Sequence, residues 1–257
     1  MSYHVIIPAR YASTRLPGKP LADVEGKPLI QRVYECSQNC SAKQVIIATD
    51  DKRIAAVVEG FGGQVCMTSA DHPTGTDRMI EVIEKCGIGD EEIVVNLQGD
   101  EPFMPGEVIE QVAANLQRHG DAVTATVSTP IDNPQDLFDP HVVKVVTDHE
   151  GYALYFSRAP IPWDRSRFAE DHALPQEIGK HYQRHIGLYA HWAGFLKQFV
   201  QWPPCEIEKV ESLEQLRIMW NGLRVHVAEA VQVPGHGVDT PADLERVRTQ
   251  FRAVLGT

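Results

Sequence analysis

The chain has 257 residues, 43% apolar and 23% charged, with 35 acidic against 24 basic side chains and a formal net charge of −11. That length accommodates one large α/β domain or a domain with an appended lobe, and the acidic balance excludes a non-specific nucleic-acid binder, which needs a basic face. No apolar stretch reaches the roughly 20 residues that cross a bilayer, and five cysteines without metal-ligand spacing read as buried thiols of a cytoplasmic protein.

Val5-Ile6-Ile7 is a short apolar run that predicts a buried strand. The segment that follows departs from the rest of the chain: residues 1–22 contain Arg10, Arg15 and Lys19 and no carboxylate. A strand, a basic loop of small residues and a helix N-terminus form a common phosphate site in α/β proteins. A solvated loop that is basic by accident is the competing reading. Ala9, Ala12, Ser13 and Gly18 would let the backbone approach a ligand closely, which favours the anion site. Pro28 opens the next helical pattern in the position proline prefers.

Val45 to Ala48 predicts a second strand, and Thr49-Asp50-Asp51 an N-cap for a helix carrying Ile54, Val57 and Val58. Gly62-Gly63 closes that helix before a third strand at 64–67. A helix from Asp77 and a buried strand at Ile93-Val94-Val95 complete the alternation. This pattern predicts a mainly parallel, Rossmann-like sheet with helices on both faces, whose ligands gather at the carboxyl ends of the strands. The basic loop, Asp71 to Arg78, and Gln98-Gly99-Asp100 all follow strands, so they should meet on one edge. Further on, strands are expected at 142–146, 152–156, 186–190 and 225–233, helices at 192–200 and around Leu213 to Trp220, and a terminal helix from Pro241. The chain reads as one compact unit with a smaller α+β sublobe at about 130–225. Neither GxxxxGK[ST] nor a GxGxxG after the first strand occurs, so a Walker-type kinase and a Rossmann dehydrogenase lose ground.

The segment PARYASTRLPGKPL at 8–21 resembles the nucleotide-binding signature of the sugar-activating cytidylyltransferases, and in particular the 3-deoxy-manno-octulosonate cytidylyltransferase family of bacterial lipopolysaccharide biosynthesis. The likeness runs from Val5 to about Arg248. It implies CTP and the acidic sugar 3-deoxy-D-manno-octulosonate (Kdo) as substrates, Mg²⁺ as cofactor, and a homodimer whose sublobe binds sugar and forms the interface.

Asp100, in QGDEP, and Asp239, in GVDTP, stand at strand ends, where two carboxylates can converge on a hard cation. Asp239 would serve equally as a helix N-cap before Pro241; the resemblance makes both aspartates Mg²⁺ ligands. Glu101 is not assigned, because adjacent side chains at a strand end diverge. Arg10 and Arg15 can grip phosphates bidentately, Lys19 supplies a compact charge, and Ser13 a hydroxyl. Lys19 is expected at the α-phosphate and Arg15 at the pyrophosphate end.

By resemblance Thr74 and Gly75 belong to the base-recognition loop, although the same stretch could cap a helix at Thr76 or Asp77. The family pattern puts Gln98, Arg158, His185, Tyr189, Glu214 and Gln215 around the sugar, with Arg158 as partner of its carboxylate; alone, that arginine would read as a structural ion pair. Cytidylyl transfer to Kdo is the expected activity. A transferase for another acidic sugar (8-amino-Kdo or sialic acid) and a non-catalytic nucleotide-sugar sensor are the alternatives.

Overall fold

A computed structural model describes residues 2–12, 16–168, 177–179 and 181–255. β1 (Tyr3–Ala9) leads through a 3-10 turn at Lys19–Leu21 and a hairpin, β2 (Asp23–Val24) and β3 (Lys27–Pro28), into α1 (Leu29–Ser37). Then come β4 (Gln44–Thr49), α2 (Lys52–Gly60), β5 (Gln64–Met67), α3 (Gly75–Lys85), β6 (Ile93–Asn96), α4 (Gly106–Arg118), β7 (Ala122–Pro130) and α5 (Pro134–Phe138). The rest is β8 (Lys144–Thr147), β9 (Ala153–Ser157), β10 (Gln183–Trp192), α6 (Ala193–Phe199), α7 (Glu206–Glu211), α8 (Leu216–Trp220), β11 (Arg224–Glu229) and α9 (Pro241–Leu255).

The main sheet runs β11-β7-β10-β6-β1-β4-β5, with β8 and β9 branching from β10. β1 pairs in parallel with β4 and β6, β4 with β5, and β7 with β11. β10 is antiparallel to both β6 and β7, and a bulge between Ile186 and Tyr189 shifts its register. The α/β class and the mostly parallel sheet agree with the expectation; the reversed strand in the middle does not follow from the alternation.

The first strands read as unbroken apolar runs because both faces are covered. Val5, Ile7 and Val95 pack with Leu29, Ile30 and Val33 of α1 and Val108, Ile109 and Val112 of α4. Ile6, Ile46 and Val94 point the other way, onto Met79, Val82 and Ile83 of α3 and Leu196 of α6. Each fully buried aliphatic side chain contributes about 1.5–3 kcal/mol on these faces.

Local signals place most starts. Asp51 caps α2 by accepting from the backbone N–H of Arg53 and Ile54. α3 begins earlier than expected, at Gly75, because Thr74 and Asp77 form a capping box that satisfies the first N–H groups. Phe156 and Val145 share a core with Phe195, Phe199, Leu216 and Ile218, and with Val225 and Val227 of β11.

Candidate active site

Lys19 is positioned by its turn. Gly18 adopts φ +70°, its N–H donates to Tyr11 O at 3.0 Å, and Leu21 N donates to Gly18 O at 2.9 Å. From there Lys19 Nζ reaches Asp100 Oδ2 at 2.5 Å, Val238 O at 2.8 Å and Asp239 Oδ1 at 3.4 Å. Asp100 follows β6, and Gly99 before it lets that loop press on β1: a Cβ there would stand 2.7 Å from Pro8 O. The second carboxylate is tied in by Val238 N, which donates to Asp100 O at 2.9 Å. The capping bonds before α9 belong to Thr240 and Asp243, where Asp243 N donates to Thr240 Oγ1 and Thr240 N to Asp243 Oδ2. That leaves the Asp239 carboxylate facing Lys19.

These groups line a cavity with Arg10, Ala12, Gly75 and Gln98. The three stretches expected to converge at the strand ends therefore do so. Arg10 donates to Pro73 O at 3.2 Å, which holds the basic loop against the start of α3. Burial, and next the Arg78 guanidinium, lower the Arg10 pKa. Ser13 and Arg15 lie outside the described residues. Thr74 spends its hydroxyl on the cap, donating to Asp77 Oδ2 at 2.6 Å and accepting from Asp77 N at 3.1 Å. Its hydroxyl thus shapes the loop, and Gly75 is the residue of that pair exposed to the cavity wall.

A second cavity shares Gly75 and Gln98 with the first and is lined further by Asn96, Tyr189, His191, Glu214 and Gln215, with Phe195 and Phe199 behind. Glu214 Oε2 accepts from Thr76 Oγ1 at 3.0 Å. Burial raises the Glu214 pKa; burial and then the Glu214 charge raise that of Tyr189. Four of the expected sugar residues, Gln98, Tyr189, Glu214 and Gln215, meet here.

His185 lines a neighbouring cavity with Glu101, Arg184 and His236. Its Nε2 lies 3.0 Å from the Thr126 hydroxyl, and its ring is 5.2 Å from that of Tyr189. Arg158 stands apart from these cavities. Its guanidinium donates to the carbonyls of Glu211 (2.7 Å), Pro140 (2.8 Å) and Ser212 (3.4 Å), and it lines none of these cavities. Three of its five N–H donors tie the end of β9 to the loops around it.

Glu101 is the group that sequence reasoning passed over. Its carboxyl fills the place of a Gly237 side chain, with Oε1 2.7 Å from where a Cβ would stand. Burial, and then the Asp100 charge, push its pKa up to about 8. The signal was available: a second acid beside Asp100, and two glycines flanking His236 that make room for it.

Burial also pushes His185 and His191 down to about 3. Both folded pKa values lie below the ordinary 6.5, so between about 3 and 6.5 the unfolded chain binds more protons than the folded one. Stability therefore falls as pH drops through that window, by at most about 1.4 kcal/mol per pH unit for each histidine. The urea midpoint is expected to decline from pH 7 to 5, and His191→Gln to flatten that decline. An unchanged slope in His191→Gln would show that His191 is not the source.

Asp100 and Asp239 are the residues that could hold a divalent cation. Two hard carboxylate donors suit Mg²⁺, which usually takes one or two carboxylates and completes its shell with water and substrate phosphates. Among the described residues no cluster of three or more His, Cys, Asp or Glu side chains forms a closed metal cage. The donor set fits the ion, and Lys19 lies between the two carboxylates as a fixed cation.

A basic loop and a lysine-bridged carboxylate pair at the strand ends of an α/β sheet define a nucleotidyltransferase. Residues 4–226 match the family model described as cytidylyltransferase. A 3-deoxy-manno-octulosonate cytidylyltransferase of Aliivibrio fischeri (strain MJ11) is 59% identical over 96% of this chain and 98% of its own length. One from Idiomarina loihiensis is 55% identical with the same coverage. The solved CMP:2-keto-3-deoxy-manno-octonic acid synthetase complexed with CTP superposes with a TM-score of 0.88 at 40% identity, covering 98% of this chain and 99% of that one. A cytidylyltransferase from Leptospira borgpetersenii, 14% identical with a TM-score of 0.59 over 96% and 85% of the two chains, shares the fold. The chain belongs to the 3-deoxy-manno-octulosonate cytidylyltransferase family.

Proposed function

We propose that this enzyme transfers the cytidylyl group of CTP to the anomeric hydroxyl of Kdo, giving CMP-Kdo and pyrophosphate. The observation that carries the reading is Lys19 Nζ bridging Asp100 and Asp239 beside Arg10, Gly75 and Gln98. The relatives named for this activity, and the CTP complex of the 40%-identical structure, support it.

In-line attack builds negative charge on the α-phosphate oxygens and on the departing pyrophosphate. Lys19 stabilises the first, and Arg10 the triphosphate from the side of the base loop. Arg15 and Ser13 are assigned to the pyrophosphate end by the family pattern. Gly75 admits the pyrimidine close to the backbone, with Thr74 holding the loop in place. Gln98, Tyr189, Glu214 and Gln215 grip the sugar hydroxyls, and the half-buried His185 ring packs against Tyr189. Asp100 and Asp239 would hold Mg²⁺, which supplies charge neutralisation and a lowered pKa at the attacking hydroxyl. The product belongs to lipopolysaccharide biosynthesis, with the enzyme acting as a cytoplasmic homodimer. No described helix is long and apolar enough to cross a membrane.

The test is pyrophosphate release with CTP, Mg²⁺ and a panel of acidic sugars. Activity is expected with Kdo, with CTP preferred over ATP and UTP. A preference for 8-amino-Kdo or sialic acid would overturn the sugar assignment, and no release with any sugar would favour the sensor alternative. Retention of both Lys19 and Asp100 speaks against that alternative.

A further inference from the structure

Lys19 meets its three partners from a turn only three residues long, Lys19–Leu21, and reaches them on a long flexible stem. In a transfer that works by positioning, a misplacement of about 1 Å costs on the order of 100-fold in rate. The backbone that carries Lys19 therefore needs a fixed seat.

Tyr11 supplies it. Its carbonyl accepts from Gly18 N at 3.0 Å, and Lys19 follows that bond directly. The Tyr11 ring closes on the same point: a Cβ on Gly18 would stand 3.2 Å from the Tyr11 Cζ and hydroxyl oxygen. Packing against the main core holds the ring there. Over the ring lies the Arg53 guanidinium, its carbon 3.4 Å from the centroid. Asp51 aims that guanidinium, accepting from Nη2 at 2.6 Å and from Nε at 3.0 Å. Asp51 is also the N-cap of α2, and its N–H donates to the buried Thr49 hydroxyl at the end of β4, at 3.2 Å. A continuous path of contacts thus runs from β4 through Asp51, Arg53 and Tyr11 to the turn that carries Lys19. Among the described residues lining the cavity of Lys19 and Asp100, neither Tyr11 nor Arg53 occurs.

We infer that Tyr11, clamped by Arg53, is a positioning residue of the reaction: it sets the turn from which Lys19 meets the α-phosphate. This rests on the transfer reading above and adds to it what holds the cation in register. Tyr11 acts through backbone contact with Gly18 and touches no reacting atom. Arg53, whose side chain is 59% exposed, reinforces the ring from solvent and contributes less.

The experiment measures kcat and the KM for Kdo at saturating CTP for Tyr11→Ala, Tyr11→Phe and Arg53→Ala, each with Lys19 present and in a Lys19→Ala background. With Lys19 present, Tyr11→Ala is expected to lower kcat roughly 30-fold, with the KM for Kdo within about twofold. Tyr11→Phe keeps the ring and should stay within about threefold of wild type. Arg53→Ala should lose about two- to fivefold, the equivalent of one exposed cation–π contact. In the Lys19→Ala background, Tyr11→Ala should cost no more than about twofold, because the group it positions is gone. A merely structural role would cost the same in both backgrounds, or would lower the folded fraction and leave kcat per folded molecule unchanged. Either result overturns the inference. Should Tyr11→Ala fold poorly, Arg53→Ala carries the test: a loss that persists undiminished without Lys19 overturns it. A wild type that releases no pyrophosphate from CTP would instead overturn the functional reading, and the inference with it.

Discussion

Lys19→Ala is expected to lower kcat by about 1,000-fold while the protein stays folded. Removing one preorganised donor from an oxyanion site typically costs about 100- to 1,000-fold, and Lys19 combines that role with a full charge. Its ammonium makes three contacts, to Asp100, Val238 O and Asp239. Alanine leaves the two carboxylates facing one another without that cation, so binding of the nucleotide's own charge suffers as well. Because Lys19 sits on a short turn outside both main core clusters, the core packing is untouched. Pyrophosphate release at saturating CTP, Mg²⁺ and Kdo, with thermal unfolding alongside, measures both effects. Turnover within tenfold of wild type would remove Lys19 from the transition state.

Legibility in the sequence followed the physics of each signal. The early strands and helices were readable because both sheet faces are covered and caps such as Asp51 mark helix starts; β5 matches its expected range, 64–67. α4 and β7 have no counterpart among the expected elements although Val108, Ile109 and Val112 lie on one helical face. The reversal of β10 could not be read, since strand direction depends on where the chain returns and not on local composition. It also brings Tyr189 opposite Asn96, on the wall of one cavity. The aspartate–lysine centre was legible because a basic loop free of acids stands out in so acidic a chain. The backbone partners of Arg158 could not be read, because a motif position says nothing about where guanidinium donors are spent.

Asp100→Asn is expected to reduce kcat by about 1,000-fold or more and to raise the Mg²⁺ concentration needed for half-maximal rate. Asparagine keeps the shape and one acceptor oxygen but removes the charge that a hard cation and Lys19 both require. Asp239→Asn should be the milder change. Its carboxylate stands 3.4 Å from Lys19 Nζ, against 2.5 Å for Asp100, and its side chain is 54% exposed, against 27%. Water can replace more of what Asp239 supplies, so a loss nearer 100-fold is the expected ratio. The double variant Lys19→Ala/Asp100→Asn should lose far less than the product of the single losses, since each change already disables the same charged unit. Magnesium titrations on the three variants, read against CTP affinity, decide the matter. If Asp100→Asn kept the wild-type Mg²⁺ dependence with normal turnover, the carboxylate pair would be a structural anchor for Lys19 and the cation would bind elsewhere.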